Sequence, residues 1–378
     1  MKKQLLWIIL GILLLSTTVF AAEDRVLLNN VCSYDRSDHM FVYRLTDSGA
    51  EVRSNIVDTM VTTQPVIFQV PSGVSYTLVP VGNVSREGGP SDLSAITCVS
   101  NDTYWAASDS GGVVCEMKVT VDDRSGKITG CRFGRMMKLE DCKDIEGLAF
   151  DPLTYMLWAS DEVGPVISGH RLKDGRRLLD LSLPDCYSRC RANLSLESLT
   201  IREDGLEMWT CNEAALEGDG ALSAKKSTSL VRLSRFVRKD CVSPWRPAGQ
   251  WAYPVGRLHG GTFRGVQLRG VSDLCVLPDG TLLVLEREFS WNVIPCFRSR
   301  IYQVRFSGAT DVTKRKSLKD PDIIPVCRRR LWVDDGTFAN YEGMCLGKTL
   351  SDGSRLLLLV SDGDDNAGER LYSFRLQK

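Results

Sequence analysis

The segment GVSDLCVLPDGTLLVLERE, residues 270–288, contains the pattern that decides the fold of this chain. It holds a short apolar strand entered through Asp273, a tight turn at Pro278-Asp279-Gly280, and a second apolar strand that ends at Glu286. Because a hairpin returns the chain to where it started, both acids are expected at the same end of the sheet.

Four further segments repeat this order of acid, strand, turn, strand and acid, at intervals of roughly 50 to 75 residues. They lie at residues 90–109, 144–161, 196–213 and 341–362. After most copies come two more strand-like runs, which gives four strands per repeat, the content of one propeller blade. The predicted fold class is therefore all-β, a β-propeller of five or six four-stranded blades.

The sequence divides into three consecutive parts, which suggest the domain organisation. Residues 1–22 carry two lysines, an apolar run and a final Ala21-Ala22, which is the pattern of a secretory signal peptide cleaved after one of these alanines. An uncleaved membrane anchor is the alternative, since the apolar run nearly reaches spanning length. Residues 23–88 show strand-like runs without the acidic hairpin, and form either a degenerate blade or the strand that closes the ring. Residues 89–378 hold the repeats.

Composition limits the function classes. The chain has 378 residues, 43% of them apolar, and 47 basic residues balance 47 acidic ones, so no general attraction to nucleic acid is expected. The 13 cysteines all follow the signal, and in an oxidising compartment they predict disulfides with at least one thiol left over. We expect a periplasmic or secreted monomer without a membrane segment after signal cleavage.

In a propeller, the corresponding ends of the inner strands meet around one mouth of the central channel. The leading acids of the five copies should form a ring there; they are Asp92, Glu146, Glu197, Asp273 and Glu342. The trailing residues should join them; they are Asp109, Asp161, Asn212, Glu213, Glu286 and Asp362.

Converging carboxylates repel one another unless a cation lies between them. A set of oxygen ligands with little histidine favours Ca²⁺, ahead of Mg²⁺ or Mn²⁺, so the whole ring except Glu213 and Glu286 is predicted to provide metal ligands. The alternative is architectural: the acids cap strands and accept hydrogen bonds from backbone N–H groups of the neighbouring blade.

Three residues of this region are candidates for catalysis. Glu286 or Glu213 is a candidate general base, and Arg287 either presents a cation to an anionic substrate or pairs with its acidic neighbours. The chain has no Gly-x-Ser-x-Gly nucleophile elbow and no His-Glu-x-x-His zinc motif. Only three histidines are present, which leaves little material for a histidine-based triad.

Several of these segments resemble the phytase-like family, bacterial proteins described as carrying an esterase-like activity of phytase. The similar segments span residues 89–376; the most specific are GVSDL followed by LLVLERE, and NYEGM followed by LLLVSDGDDN. The resemblance implies a β-propeller, export, and hydrolysis of an ester or phosphoester with possible support from calcium. One departure is Ser198, where the family usually has glycine after the glutamate.

Three functions remain open on these residues. The first is an exported, metal-dependent hydrolase that acts on a small anionic or ester substrate at the central channel. The second is a propeller that binds a ligand or protein at this mouth without chemistry. The third is a calcium-dependent lactonase-type propeller, which would need an acid–base histidine or aspartate pair at the mouth.

Overall fold

The computed structural model describes residues 32–35, 40–44, 51–54, 74–85, 88–259, 267–291, 295–335, 339–363 and 369–378. The predicted signal peptide lies outside these residues. The chain divides into two units, residues 1–63 with 239–244, and residues 64–238 with 245–378. The first unit contains a three-stranded antiparallel sheet in the order β1-β2-β3. Its strands are β1 (Cys32–Asp35), β2 (Met40–Arg44) and β3 (Glu51–Ser54).

The second unit is a propeller of five four-stranded antiparallel blades, which confirms the predicted fold class. Blade 1 consists of β5 (Leu93–Ser100), β6 (Thr103–Ser108), β7 (Val113–Val121) and β8 (Ile128–Lys138). Blade 2 consists of β9 (Ile145–Asp151), β10 (Met156–Asp161), β11 (Val166–Arg171) and β12 (Arg177–Asp180). Blade 3 consists of β13 (Leu196–Ile201), β14 (Glu207–Asn212), β15 (Ser229–Val237) and β16 (Arg246–Val255).

Blade 4 consists of β17 (Gln267–Val276), β18 (Leu282–Trp291), β19 (Pro295–Arg305) and β20 (Cys327–Asp335). Blade 5 consists of β21 (Asn340–Thr349), β22 (Arg355–Asp362), β23 (Arg370–Gln377) and β4 (Thr77–Ser85). A single 3₁₀ turn, Asp185–Arg189, lies between blades 2 and 3, and the described residues form no α-helix.

The ring is closed by a strand from the N-terminal region. Strand β4 pairs antiparallel with β23, from Thr77 opposite Gln377 to Ser85 opposite Arg370. Within the range 23–88, residues 77–85 thus form the fourth strand of blade 5. The inner strands β5, β9, β13, β17 and β21 each contact the next, and β21 contacts β5, so they surround a central channel.

The apolar runs of the sequence fill the spaces between blades. In β18, Leu283 and Leu285 pack in the core shared with blade 5, while Val284 packs in the core shared with blade 3. A strand covered on both faces reads as a continuous apolar run, whereas a half-exposed strand alternates. This is why the second strand of the opening hairpin is LLVL.

A β-bulge interrupts every inner strand at the same level. In each pair of inner and second strands, one residue of the inner strand has no opposite partner. The bulged residues are Ser94, Glu146, Glu197, Ser272 and Glu342. Bulges re-aim side chains and are frequent beside active sites. The alignment by acids was therefore wrong for Asp92 and Asp273: serines occupy the glutamate position in blades 1 and 4.

The residue after two of the bulged glutamates must be glycine because the next blade touches its backbone. A Cβ atom on Gly147 would lie 2.7 Å from the backbone nitrogen of Leu199, and one on Gly343 would lie 2.9 Å from Cα of Ala95. Both distances are shorter than real Cβ contacts. The Glu-Gly motif therefore combines a channel carboxylate with close packing of neighbouring inner strands.

Replacing Gly147 by alanine is expected to destabilise the protein by about 1–3 kcal/mol, because backbone atoms of blade 3 cannot move aside easily. Urea denaturation measures this change. The matched control is Gly130→Ala in β8, where the nearest atoms to a new Cβ are 3.9 Å away; it should be neutral or slightly stabilising. Equal losses in both variants would contradict the packing explanation.

Two further findings concern predictions made from composition. Among the cysteines from Cys98 to Cys345, the structure shows no disulfide. Within the described ranges, which begin at residue 32, no helix is long and apolar enough to cross a bilayer.

Candidate functional site

The three bulged glutamates face one another at one mouth of the channel. Glu197 and Glu342 are buried, and Glu146 is half-buried. Burial, together with the charge of Glu342, raises the pKa of Glu146 well above its ordinary value. Burial and the charges of Glu146 and Glu213 do the same for the pKa of Glu197. Since carboxylates influence one another in this way only at short range, blades 2, 3 and 5 bring these side chains together.

A second layer of the ring comes from the end of each second strand. One residue per blade lies opposite the start of the inner strand; the five are Asp109, Glu162, Glu213, Arg287 and Asp362. The partners opposite them are Asp92, Asp144, Ser195, Gly270 and Asn340. Four acids and one arginine thus occupy equivalent positions, and Arg287 is the single cation in this layer.

Arg287 neutralises one side of the ring. Its guanidinium pairs with Glu213 at 3.1 Å, forms an ion pair with Glu342, and lies 3.5 Å from the side-chain oxygen of Asn340. Burial opposes its charge, but the nearby glutamates, Glu342 and Glu213 first, raise the pKa of Arg287 well above its ordinary value. Arg287 therefore stays charged and joins blades 3, 4 and 5 at the mouth.

The opposite side of the ring is a group of three carboxylates, all from blade 2. One oxygen each from Asp144, Glu146 and Glu162 lies within 4.8 Å of the others. Burial raises the pKa of each carboxyl, and the neighbouring acids add to it: Asp161 for Asp144, Glu342 for Glu146, and Glu213 for Glu162. We call these three residues the blade 2 triad.

The blade 2 triad fits a calcium ion. Its donors are all carboxylate oxygens, the type that Ca²⁺ prefers, and they already converge within the span of one ion's ligand sphere. Their raised pKa values show that the ionised forms are unfavourable together, and a divalent cation would reverse that penalty. Asp144, Glu146 and Glu162 are thus the residues that would hold the ion.

Asp161 lies next to the blade 2 triad, close enough for its charge to raise the pKa of Asp144. Its carboxylate accepts hydrogen bonds from the backbone N–H groups of Lys143 at 2.7 Å and Val163 at 2.9 Å. These amides are adjacent in sequence to Asp144 and Glu162. Asp161 was predicted as a metal ligand, but the structure places it as a support that fixes the backbone on both sides of the blade 2 triad.

Other predicted ligands are also engaged with backbone or lie at the edge. Asn212 is buried, donates to the carbonyl of Ala214 and accepts from the N–H of Arg232. Asp273 accepts from the N–H groups of Leu274 and Met344. These two match the architectural alternative, in which acids bind the backbone of neighbouring strands.

Asp92 and Asp109 flank the first hairpin of blade 1, and Asp362 ends the second strand of blade 5. Asp92 has a left-handed backbone conformation and accepts a hydrogen bond from Ser91. The charges of Asp362 and Asp109 both contribute to raising the pKa of Glu342 to about 8, although burial is the main cause. The structure therefore brings Asp109 and Asp362 near Glu342, on the blade 5 side.

Glu286, one of the two candidate bases, does not join the ring. It precedes Arg287, and since successive side chains of a strand point to opposite faces, it faces blade 3 instead of the channel. Its carboxylate accepts hydrogen bonds from Tyr253 at 2.8 Å and Arg269 at 2.7 Å, and pairs with Arg328. Glu213 is the candidate base that the structure leaves at the mouth.

The loop that carries Asp144 is held by a buried cluster within blade 2. Nε2 of His170 lies 2.8 Å from the hydroxyl of Ser168 and 3.5 Å from the thiol of Cys142, two residues before Asp144. Nδ1 of His170 lies 3.1 Å from the carbonyl of Gly175, so Nδ1 carries the proton and Nε2 accepts. This histidine packs the loop against the outer strands.

A loss of stability in acid is expected from His170. Burial lowers the pKa of His170 below its ordinary value of 6.5, so the folded protein keeps it neutral while the unfolded chain takes up a proton as the pH falls below 6.5. The unfolding free energy should thus decrease below this pH, by at most about 1.4 kcal/mol per pH unit for one proton. Urea denaturation between pH 7.5 and 5 should show a shallower slope in His170→Gln. Identical slopes would contradict the assignment.

Comparison with known proteins adds the family. The phytase-like family, described as esterase-like activity of phytase, matches residues 88–366, well over half of the chain. The chain belongs to the phytase-like family. In this phytase-like protein the matched region contains all residues of the ring, from Asp92 to Asp362.

Solved structures with some similarity to this phytase-like protein are diverse. U3-55K is 8% identical, covers 78% of this chain and 99% of its own, with a TM-score of 0.36. Hydrazine synthase of Kuenenia stuttgartiensis is 14% identical, with coverages of 72% and 77% and a TM-score of 0.31. A streptogramin B lyase is 10% identical, with coverages of 80% and 98% and a TM-score of 0.32. None of these likenesses bears on function, and no curated protein matches the chain.

Two residues of the blade 2 triad were not predicted from the sequence. Asp144 stands two residues before the bulge, the position that Asp92 occupies in blade 1. Glu162 follows Asp161 at the position of Asp109 and Glu213. An alignment on the bulge, rather than on the first acid of each copy, would have found both.

Proposed function

We propose that this protein is an exported hydrolase of phosphoesters or other esters, with its active site at the acidic mouth of the channel. The observation that carries the proposal is the division of the ring: three convergent carboxylates of blade 2 on one side and Arg287 on the other. Membership of a family described by esterase-like activity of phytase supports a hydrolase. A calcium ion held by the blade 2 triad would supply positive charge to the substrate oxygens and acidify a water molecule.

The residues of the chain have separate tasks in this proposal. Arg287 binds a negatively charged oxygen of the substrate, because it is held charged between Glu213 and Glu342. Glu213 accepts a proton from the attacking water as the oxygen–phosphorus or oxygen–carbon bond forms. The bond to the leaving oxygen then breaks, and the proton passes to that oxygen. Burial raises the pKa of Glu213, which makes it a stronger base near neutral pH.

The test is an assay of mature protein, freed of divalent ions and then loaded with calcium, on phytate, nitrophenyl phosphate and nitrophenyl acetate. Calcium-dependent turnover of at least one substrate is expected, and it should be lost in Glu213→Gln. If none of the three is hydrolysed under either condition, the enzymatic proposal fails. Export, cleavage after Ala21 or Ala22 and a monomeric state stay predictions, which N-terminal sequencing and sedimentation of the natural product would check.

A binding propeller without chemistry is the second candidate. It is favoured by Asp161, Asn212 and Asp273, whose polar groups are occupied by the backbone. The blade 2 triad and Arg287 are not accounted for by this role. A ligand that binds tightly at the mouth and is recovered unchanged would support it.

A further inference from the structure

Three segments of the sequence have the form Asn-x-Ser or Asn-x-Thr, with a residue other than proline in the middle. They are Asn83-Val84-Ser85, Asn101-Asp102-Thr103 and Asn193-Leu194-Ser195. In secreted proteins this tripeptide accepts N-linked glycans, which need a surface position because the attached sugars are bulky and hydrophilic. The tripeptide alone is a weak signal, so the place of each asparagine in the fold decides whether a glycan fits there.

Burial separates these asparagines from the others that the structure describes. Asn83, Asn101 and Asn193 are exposed, and within the described part of the chain their side-chain amides form no hydrogen bond. Asn212 and Asn340 are buried, and neither begins such a tripeptide. The amides of this buried pair donate hydrogen bonds inside the protein. The three exposed amides thus have no role in holding the fold, whereas the two buried ones do.

Two of the three sites lie at turns. Strand β5 ends one residue before Asn101 and β6 begins at Thr103, so Asn101 is at the tip of a hairpin. Asn193 lies in the tight turn between the bridge partners Arg191 and Leu194, with a left-handed backbone (φ 54°) that asparagine tolerates well. Side chains at such tips project beyond the sheet, so a glycan at either position leaves strand pairing undisturbed.

The third site lies on the edge of blade 5. Asn83 is in β4, the outermost strand of this sheet, opposite Tyr372 of β23. Edge strands tend to pair with other chains, and natural proteins obstruct them in various ways. A glycan on the exposed side chain of Asn83 would obstruct the approach of a second chain to this edge.

We propose that Asn83, Asn101 and Asn193 are N-glycosylated during export. The Nδ2 atom of each asparagine bonds to C1 of a sugar that is carried on a lipid pyrophosphate. The bond between C1 and the pyrophosphate oxygen breaks, that oxygen keeps the electron pair, and the amide loses one proton. Glycosylation at these sites requires the predicted export and is independent of the proposed hydrolysis.

Peptide-N-glycosidase treatment of the natural, secreted protein tests the sites. The enzyme removes a glycan and converts its asparagine to aspartate, so digestion in heavy-oxygen water labels each occupied site. We expect a loss of mass, and labelled aspartate in place of Asn83, Asn101 and Asn193. The buried Asn212 and Asn340 are controls and should stay unlabelled. An unchanged mass refutes glycosylation, and N-terminal sequencing of the same sample shows separately whether the signal peptide was removed.

Substitutions of Thr103 separate recognition of the acceptor from a structural effect. The full chain, signal peptide included, is secreted from eukaryotic cells, and peptide mass spectrometry measures the occupancy of Asn101. Thr103→Val keeps the branched shape but removes the hydroxyl that the tripeptide requires, and should abolish the glycan. Thr103→Ser keeps the hydroxyl and should retain it. Equal occupancy of Asn101 in the two variants would overturn the proposal.

Discussion

Exchange of Glu146 for glutamine is expected to abolish stabilisation by calcium while leaving the ion-free protein at least as stable as the wild type. Glu146 is central to the blade 2 triad, and burial with the charge of Glu342 makes its ionised form unfavourable when no cation is present. Glutamine keeps the shape and removes the charge. The ion-free variant is therefore relieved of a repulsion, whereas the calcium-loaded variant lacks a ligand.

Thermal unfolding with and without calcium measures both effects in one experiment. Loss of an outer-shell partner costs metal affinity or activity about 10–100-fold, and loss of a direct ligand should cost at least the upper value. The matched control is Asp141→Asn. Asp141 is an exposed acid three residues before Asp144, and asparagine tolerates its left-handed backbone conformation. If calcium raises the Tm of Glu146→Gln as much as that of the control, the blade 2 triad does not bind the ion.

Replacement of Arg287 by methionine should destabilise the protein by about 3–5 kcal/mol, the range for removing one partner of a buried ion pair. Its side chain is 18% exposed and faces Glu213 and Glu342, which are nearly inaccessible. Without the guanidinium these carboxylates repel one another across blades 3 and 5. Urea denaturation at pH 7.5 measures the loss.

A double-mutant cycle distinguishes lost charge compensation from lost packing. Combining Arg287→Met with Glu342→Gln should recover part of the stability, because the second change removes a charge that the first left unpaired. Purely additive losses would show that Arg287 acts through packing. The exposed Arg330→Gln change provides the baseline and should alter stability by no more than about 0.5 kcal/mol.

The blade architecture was predictable from the sequence because each blade repeats the same hairpin and the same apolar runs. The closing strand was harder to predict, since residues 77–85 lack the acidic hairpin and gain their place only by pairing with β23. Its two alternatives could not be separated without knowing where the C-terminus lies. The local sequence pattern thus predicts which residues form strands, whereas the partner of β4 follows only from closure of the ring.

The candidate site was predictable only in part, because a one-residue difference in a strand sends a side chain to the opposite face. Glu213 and Arg287 point to the channel, whereas Asn212 and Glu286, one residue earlier, do not. The sequence shows such neighbouring polar residues without showing which one faces inward. The β-bulge adds a further offset of one residue. As a result Ser272, and not Asp273, occupies in blade 4 the position that Glu197 occupies in blade 3.

The pairing of β4 with β23 has a consequence for how the chain is made. The sheet of blade 5 combines β4 with β21, β22 and β23, so this blade cannot be completed during synthesis until β23 has been made. Before that point β4 is an unpaired edge strand, and such strands are prone to aggregation. The nascent chain should therefore need protection from aggregation until β23 pairs with β4. A chain truncated before Arg370 would leave β4 permanently without this partner strand.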